Sequence, residues 1–305
     1  MDFVSGRTQP AELPAELRPW VYQMVGEYVG CWHSSSKQDA SRAWRILRSS
    51  GTSYFVKVLP NPAFFHREVF ALRRVVSVLG QGQAPRLVAA NAHLCAVVTT
   101  GLRGAVASTL SLSHTDEYAL HRQAGQLIRR LHDATPTSAL PKAPASTFIH
   151  HAVTTLEILL QRVSRLLSDD EEALIRKLAA VLAGPEMSQL PTAYCHGDNR
   201  PRNWSWHNSQ KSVALLNFEC CEKNLRLRDT VRLAYGPWIH RDDLREAYLD
   251  GYGQDLTDVE RAALPAFAAL DALNRLRFGH VALDTEAILR ARVALAHLME
   301  ESSHA

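Results

Sequence analysis

The run His196-Gly197-Asp198-Asn199-Arg200-Pro201-Arg202-Asn203-Trp204 concentrates polar chemistry between two apolar stretches. Asp198 precedes Asn203 by five positions, and Pro201 stiffens the chain between them. A loop of this kind can aim a carboxylate at a hydroxyl proton while an amide oxygen faces a hard cation. The alternative is a polar turn whose His, Asp and Asn only bond the backbone.

What surrounds the run decides between these readings. Ala43–Leu47 and Tyr54–Leu59 flank the turn Ser49-Ser50-Gly51-Thr52 and read as a hairpin. From Ala63 to Leu79, Phe65, Val69, Leu72, Val75, Val76 and Leu79 recur at helical spacing, predicting one amphipathic helix. Two short apolar runs follow, 85–89 and 93–99, ending at Gly101 and Gly104. The order is β-β-α-β-β. Before it, Pro10, Pro14 and Pro19 give an extended lead-in to a short helix carrying Trp20, Val21, Met24 and Val25, which should pack on this first lobe.

Beyond the glycines the pattern is helical. Helices are expected over 116–133, 147–167 and 169–183, the last opened by the capping box Ser168-x-x-Glu171 and closed by Gly184-Pro185. A strand-rich island, 192–206 and 212–219, interrupts them before further helices from about 229. The expected fold is α+β and bilobal: a β-rich N-terminal lobe over 1–100 and a mainly helical lobe over 101–305, with the boundary near Gly101–Gly104.

Composition excludes several classes. The net charge of +3 is small and its basic residues are scattered, so no nucleic-acid partner is expected. Cys31, Cys95, Cys195, Cys220 and Cys221 form no CxxC pair, which fits reduced thiols in a cytoplasmic protein rather than disulfides or zinc. Residues 1–9 lack the apolar core of a signal peptide, and no stretch reaches the roughly 18 apolar residues of a membrane span.

Phosphoryl transfer needs a carboxylate on the acceptor hydroxyl, oxygen ligands for magnesium and a cation on the nucleotide phosphates. Asp198 and Asn203 supply the first two at the HxDxxxxN spacing of kinase loops. Lys57 is the only charge in 54–59 and Glu68 follows on the next helix, so the two can meet as a phosphate-orienting ion pair, although surface charges also explain such a pair.

The run resembles the aminoglycoside phosphotransferase and choline kinase family, whose loops read HGDxxxxN. Its His-Gly-Asp-x-x-Pro-Arg-Asn-Trp wording is similar to that of viomycin and capreomycin phosphotransferases. The resemblance implies a protein-kinase-like fold and an ATP- or GTP-dependent, Mg2+-requiring O-phosphotransferase conferring antibiotic resistance, acting as a monomer or homodimer on a small-molecule hydroxyl. It implies Asp198 as the catalytic residue, Lys57 and Glu68 at the phosphates, and Thr99, Thr100 and Leu102 at the adenine within the hinge Val97–Gly104, although a plain connector between lobes predicts the same residues there. It implies His196 as a structural support of the loop and Asp229 as a second one, which from the residues alone reads as a helix N-cap.

Two places depart from the family pattern. The segment 30–42, where a phosphate-covering loop belongs, has only Gly30, with Ser34-Ser35-Ser36 and Lys37 instead; an ordinary hairpin loop reads equally well. The metal segment, usually Ile-Asp-Trp/Phe-Glu, reads Leu216-Asn217-Phe218-Glu219. An uncharged amide replaces a carboxylate, which weakens magnesium binding. Asn217 is a substitution introduced to trap a complex, a natural ligand compensated by Glu219 or Asn203, or the mark of a nucleotide-binding pseudokinase.

For the acceptor, residues 240–286 hold Asp242, Asp243, Glu246, Asp250, Asp255, Asp258, Glu260, Asp271, Asp284 and Glu286 against five arginines. This excess suits a cationic antibiotic, aminoglycoside or tuberactinomycin-like, or is a solubilising surface. A small cellular metabolite is the alternative acceptor. Trp32, Trp204, Trp206 and Trp238 are read as packing residues.

Overall fold

The structure is a computed structural model that describes residues 10–35, 40–134 and 143–304. Ser36 and Lys37 of the expected phosphate loop, and residues 1–9, lie outside the described residues.

The N-terminal part is an antiparallel five-stranded sheet of order β1-β2-β3-β5-β4. Its strands are β1 (Gly30–His33), β2 (Arg42–Leu47), β3 (Ser53–Val58), β4 (Leu87–Asn91) and β5 (Ala96–Thr100). The hairpin read from the sequence is β2–β3, and β1 adds an edge strand that the reading lacked. Helix α1 (Arg18–Val25) buries Val21 and Val25, with Leu13 and Leu17 of the lead-in, against Trp44, Ile46 and Val56. That packing is the expected one.

The segment 63–79 is not one helix. Regular α2 spans Pro62–Phe70, capped by Asn61, whose side chain accepts from the amides of Ala63 and Phe64. A wide π turn (Ala71–Val75) and a tight 3-10 turn (Val76–Val78) follow. The β-branched Val75, Val76 and Val78 crowd an α-helix, and the irregular turns still bury Leu72, Val75, Val76 and Leu79.

The helical part contains α3 (His114–His132), α4 (Ala145–Val163), α5 (Asp169–Leu182), α6 (Arg228–Ala234), α7 (Asp242–Tyr252), α8 (Asp258–Ala282) and α9 (Thr285–His304). The capping box at Ser168 and Glu171 forms as expected. The strand island resolves into two small antiparallel units, β6 (Ala105–Val106), β8 (Trp204–His207) and β9 (Ser212–Leu215) in one, β7 (Thr192–Cys195) and β10 (Glu222–Leu225) in the other. The expected strand 212–219 stops at Leu215, because Asn217 turns the chain with φ of 62°. Trp204, Trp206 and Trp238 are buried in the core with α3 and α7, as packing residues should be. No cysteine is paired, and no helix among the described residues is long and apolar enough to cross a membrane.

Helices α3 and α7 approach backbone to backbone. A Cβ on Gly125 would strike the carbonyl oxygen of Tyr248, and one on Gly251 the carbonyl oxygen of Arg122. Tyr248 and His132 on these helices reach the polar run, so the contact also positions the site. Gly125→Ala and Gly251→Ala should each cost about 1–3 kcal/mol through overpacking, read as a lowered denaturant midpoint.

Candidate active site

The loop starts where β7 ends, and a buried carboxylate holds it. Asp229 accepts from the amide of His196 at 2.7 Å and of Gly197 at 2.8 Å, while His132 Nε2 lies 3.0 Å from it. Asp229 does not cap α6, as the sequence suggested: Leu227 is the N-cap and Asp229 lies in the first turn. Its carboxylate turns to the amides of the loop instead of those of its own helix. Burial pushes its pKa up, but the His132 hydrogen bond and charge and the Gly197 amide outweigh this and leave it lowered.

Gly197 has φ of 78°, and a Cβ there would clash with the carbonyl oxygen of Cys220. Glycine is required. The His196 ring donates from Nε2 to the Leu216 carbonyl at 2.8 Å and accepts at Nδ1 from the Asp198 amide at 3.3 Å, which ties the loop to the segment carrying Asn217. Asn199 donates to the Asp229 carbonyl at 2.9 Å and to Tyr248 Oη at 3.0 Å, and accepts from Trp204 Nε1 at 2.8 Å. Sequence reasoning passed over Asn199, His132 and Tyr248; only the interior position of Asn199 in the run hinted at its use.

Asp198 is almost enclosed. Asn203 Nδ2 donates to its backbone oxygen at 2.7 Å and its carboxylate at 2.8 Å, so the Asn203 amide oxygen faces away. That oxygen lies 3.4 Å from Asn217 Nδ2. Three arginines converge on the Asp198 carboxylate: Arg200 at 2.7 Å, Arg202 at 3.0 Å, and Arg232 of α6. Burial would push the Asp198 pKa up, but Arg232, Arg200 and Arg202 hold it well below the usual carboxylate range. None of the arginines was singled out from sequence; two lie in the quoted run, while Arg232 gives no local signal.

Lys57 on β3 meets Glu68 of α2 at 2.6 Å and Glu219 at 2.9 Å, and donates to the Asn217 side-chain oxygen. Burial lowers the Lys57 pKa, but Glu68 and Glu219 outweigh it and raise it. The ammonium stays charged. Ser41 donates to Glu219. One lysine thus joins the N-terminal sheet to the segment 217–219, and Asn217 spans from it to Asn203.

Asn203 Oδ1, Asn217 Oδ1 and the Glu219 carboxylate are all oxygen donors, the chemistry a hard divalent cation accepts. This set fits magnesium. At the hinge, Thr99 lies in the β5 ladder, the Thr100 amide donates to the Arg86 carbonyl while its hydroxyl accepts from the Arg86 amide, and the Gly101 amide donates to the Ser53 carbonyl. The Thr100 amide is therefore committed within the sheet. The acidic residues of 240–286 are largely paired: Asp243 with Arg241, Asp250 with Arg122, Asp258 with Arg261, Glu260 with Arg226, Asp271 with Arg232 and Arg275, and Glu286 with Arg290.

A sheet bearing a Lys–Glu pair above a helical part bearing an HGDxxxxN loop defines a protein-kinase-like phosphotransferase. Residues 10–269 match the model of the phosphotransferase enzyme family, and the chain belongs to that family. Solved structures agree at low identity. The GDP and kanamycin complex of APH(2")-IIia is 13% identical with TM-score 0.70, over 94% of this chain and 99% of the other. The streptomycin-ATP complex of APH(2")-IIa is 15% identical with TM-score 0.66, over 94% and 97%. A choline/ethanolamine kinase family protein from Mesorhizobium loti is 17% identical with TM-score 0.64, over 92% and 89%. No curated protein gives a significant match.

The lowered carboxylates make stability acid-sensitive. Asp271 is held at about 2, where the charges of Arg232 and Arg275 overcome burial, and Asp198 is also depressed. Their contribution is complete above the unfolded aspartate value near 3.9 and is lost as pH falls through the folded values. The denaturant midpoint should hold to about pH 4 and drop from there toward pH 2. In Asp271→Asn this drop should be shallower and stability at pH 7 lower.

Proposed function

We propose that the chain transfers the γ-phosphoryl group of ATP or GTP to a hydroxyl of a small molecule, an antibiotic being the leading class. The carrying observation is that Lys57 bonds Glu68 on one side and Asn217 and Glu219 on the other, with Asn203 and Asp198 next in line. Residues 1–100 would hold the nucleotide, with Lys57 and Glu68 at its phosphates and Thr99 and Thr100 beside the base, where Leu102 of the following segment would join them. Residues 101–305 would hold the acceptor.

Asp198 orients the acceptor hydroxyl. The acceptor oxygen bonds to the γ-phosphorus, the bond from that phosphorus to its bridging oxygen breaks, and the diphosphate leaves with the electron pair. The hydroxyl proton passes to Asp198 or, given its depressed pKa, through it to water. His196 and Asp229 hold the loop still during this exchange. Asn203, Asn217 and Glu219 would hold magnesium, which when bound neutralises phosphate charge. Titrating magnesium away with a chelator should therefore stop transfer.

Antibiotic acceptors are supported by the streptomycin and kanamycin of the fold neighbours' complexes and by a loop wording that resembles that of viomycin and capreomycin phosphotransferases. A cationic acceptor draws less support from residues 240–286, whose acidic groups are mostly neutralised by arginines. A second reading, a nucleotide-binding protein with little turnover, is favoured by Asn217 alone.

Incubation with nucleotide and acceptor panels, with mass detection of an added phosphate, tests the proposal. Asp198→Ala should lower transfer by on the order of 10²–10⁴ while leaving nucleotide binding intact; unchanged turnover would sink the assignment. Asn217→Asp should raise the rate and lower the magnesium needed for half-maximal rate. A null result for Asn217→Asp across every acceptor would favour the low-turnover reading.

A further inference from the structure

The candidate catalytic carboxylate sits in more positive charge than an orienting base requires. Arg200 and Arg202 come from the loop itself, Arg232 from α6 and Arg275 from α8, so three separate elements build the cluster. Arg232 reaches Asp271 at 2.8 Å as well as Asp198, and Arg275 reaches Asp271 at 2.6 Å. Four guanidiniums share two carboxylates.

The cluster is reachable. Side-chain exposures of Arg200, Arg202, Arg232 and Arg275 are 16%, 34%, 23% and 16%, while those of Asp198 and Asp271 are 5% and 10%. The cations therefore rim the carboxylates on the open side. Arg200 Nε lies 2.7 Å from an Asp198 oxygen, yet among the described residues its N–H has no acceptor in hydrogen-bonding direction. Its Nη2 donates to the other Asp198 oxygen at 3.2 Å, yet burial and the charges of Arg232, Arg202 and Arg275 outweigh Asp198 and push the Arg200 guanidinium down to about 10. A bound anion would relieve it through paired N–H bonds.

The position of the cluster indicates where that anion belongs. Nucleotide phosphates are served by Lys57, on the far side of the Asn203–Asn217 amides from Asp198. Three of the arginines meet on Asp198, the group that addresses the acceptor, and Arg275 joins them through Asp271. We propose, building on the phosphotransferase reading above, that the acceptor carries an anionic group, a carboxylate or a phosphate, beside its reacting hydroxyl, and that Arg200, Arg202, Arg232 and Arg275 bind it. Guanidinium bonds then shift from Asp198 to the acceptor, freeing a carboxylate oxygen for the hydroxyl. A polycation would enter against a net positive field.

The test reads binding first, so that it stands apart from turnover. The chain, saturated with a non-hydrolysable ATP analogue, is titrated calorimetrically with sulfate, with glycolate and with ethanolamine; the last two are small hydroxyl compounds of opposite charge. Sulfate and glycolate should bind and ethanolamine should not. In Arg200→Gln/Arg202→Gln the anion affinity should fall at least tenfold with analogue affinity unchanged. Should that variant misfold by circular dichroism, Arg200→Lys and Arg202→Lys, which keep the charge and lose the fork, should show a smaller fall in anion affinity. Absence of anion binding, binding indifferent to these variants, or preference for ethanolamine would overturn the proposal. So would a fall in analogue affinity with competition by sulfate, which would assign the arginines to the nucleotide. Failure of the analogue to bind while sulfate still binds would defeat the phosphotransferase reading and leave the anion site standing.

Discussion

Asp229 is fully enclosed, and its two oxygens are where the loop is tied to the helical part. One takes the amide of His196 and faces His132, the other takes the amide of Gly197. A carboxylate so buried is tolerable only when its acceptor sites are filled, and removing those partners would leave an uncompensated charge in the interior. The loop is therefore bound to this point as firmly as the interior is to itself. Gly197 then turns in the left-handed region, and Asp198 follows in one direction only. Asn199 repeats the tie from the other side, bonding the Asp229 carbonyl and Tyr248. Helix packing is thereby converted into a fixed direction for one side chain.

The parts of this arrangement that sequence could show are those decided locally. The run 196–204 is legible because its members act on one another across at most five positions, as Asn203 does on Asp198. Lys57 and Glu68 are legible because one charge in an apolar strand demands a partner and the next element supplies it. Where long-range packing decides, legibility ends. Asp229 differs from a helix cap by two positions and by the direction its carboxylate takes, both set by a loop more than thirty residues earlier. Arg232 carries no mark in its neighbourhood that it will reach Asp198. The stretch 63–79 has helical periodicity, yet three β-branched valines turn its second half into a π turn and a 3-10 turn that still bury Leu72, Val75 and Val76. The acidic excess over 240–286 misleads for a related reason: composition counts charges but not their partners, and most of these are ion-paired.

Asn217 raises a different question, because its backbone does not explain its side chain. At φ of 62° asparagine and aspartate are both tolerated better than most residues, so the turn does not select the amide. Its electrostatic setting is more informative. Lys57 already faces two carboxylates, Glu68 and Glu219, and a third anion at 217 would have to share the same ammonium. With asparagine there, Lys57 keeps all three partners and stays charged, and Glu219 is left as the one carboxylate among the oxygen donors beside Asn203. The charge a second carboxylate would bring to a divalent cation is absent, while the geometry that would hold it is kept.

The two ends of the site are consequently polarised in opposite senses. Around Lys57 one cation stands against two carboxylates; around Asp198 four guanidiniums stand against two. The first end lacks positive charge and suits a hard cation carrying phosphates. The second lacks negative charge, and its carboxylate is least able to hold a proton while the arginines remain on it. Because these groups are largely buried, salt screens them little, and the imbalance persists at ordinary ionic strength. An acceptor that brought its own anion would balance the second end and draw guanidinium bonds off an Asp198 oxygen at the moment its hydroxyl arrives. Charge on the acceptor would then govern both its binding and the freedom of Asp198 to reach its hydroxyl, through the same arginine cluster.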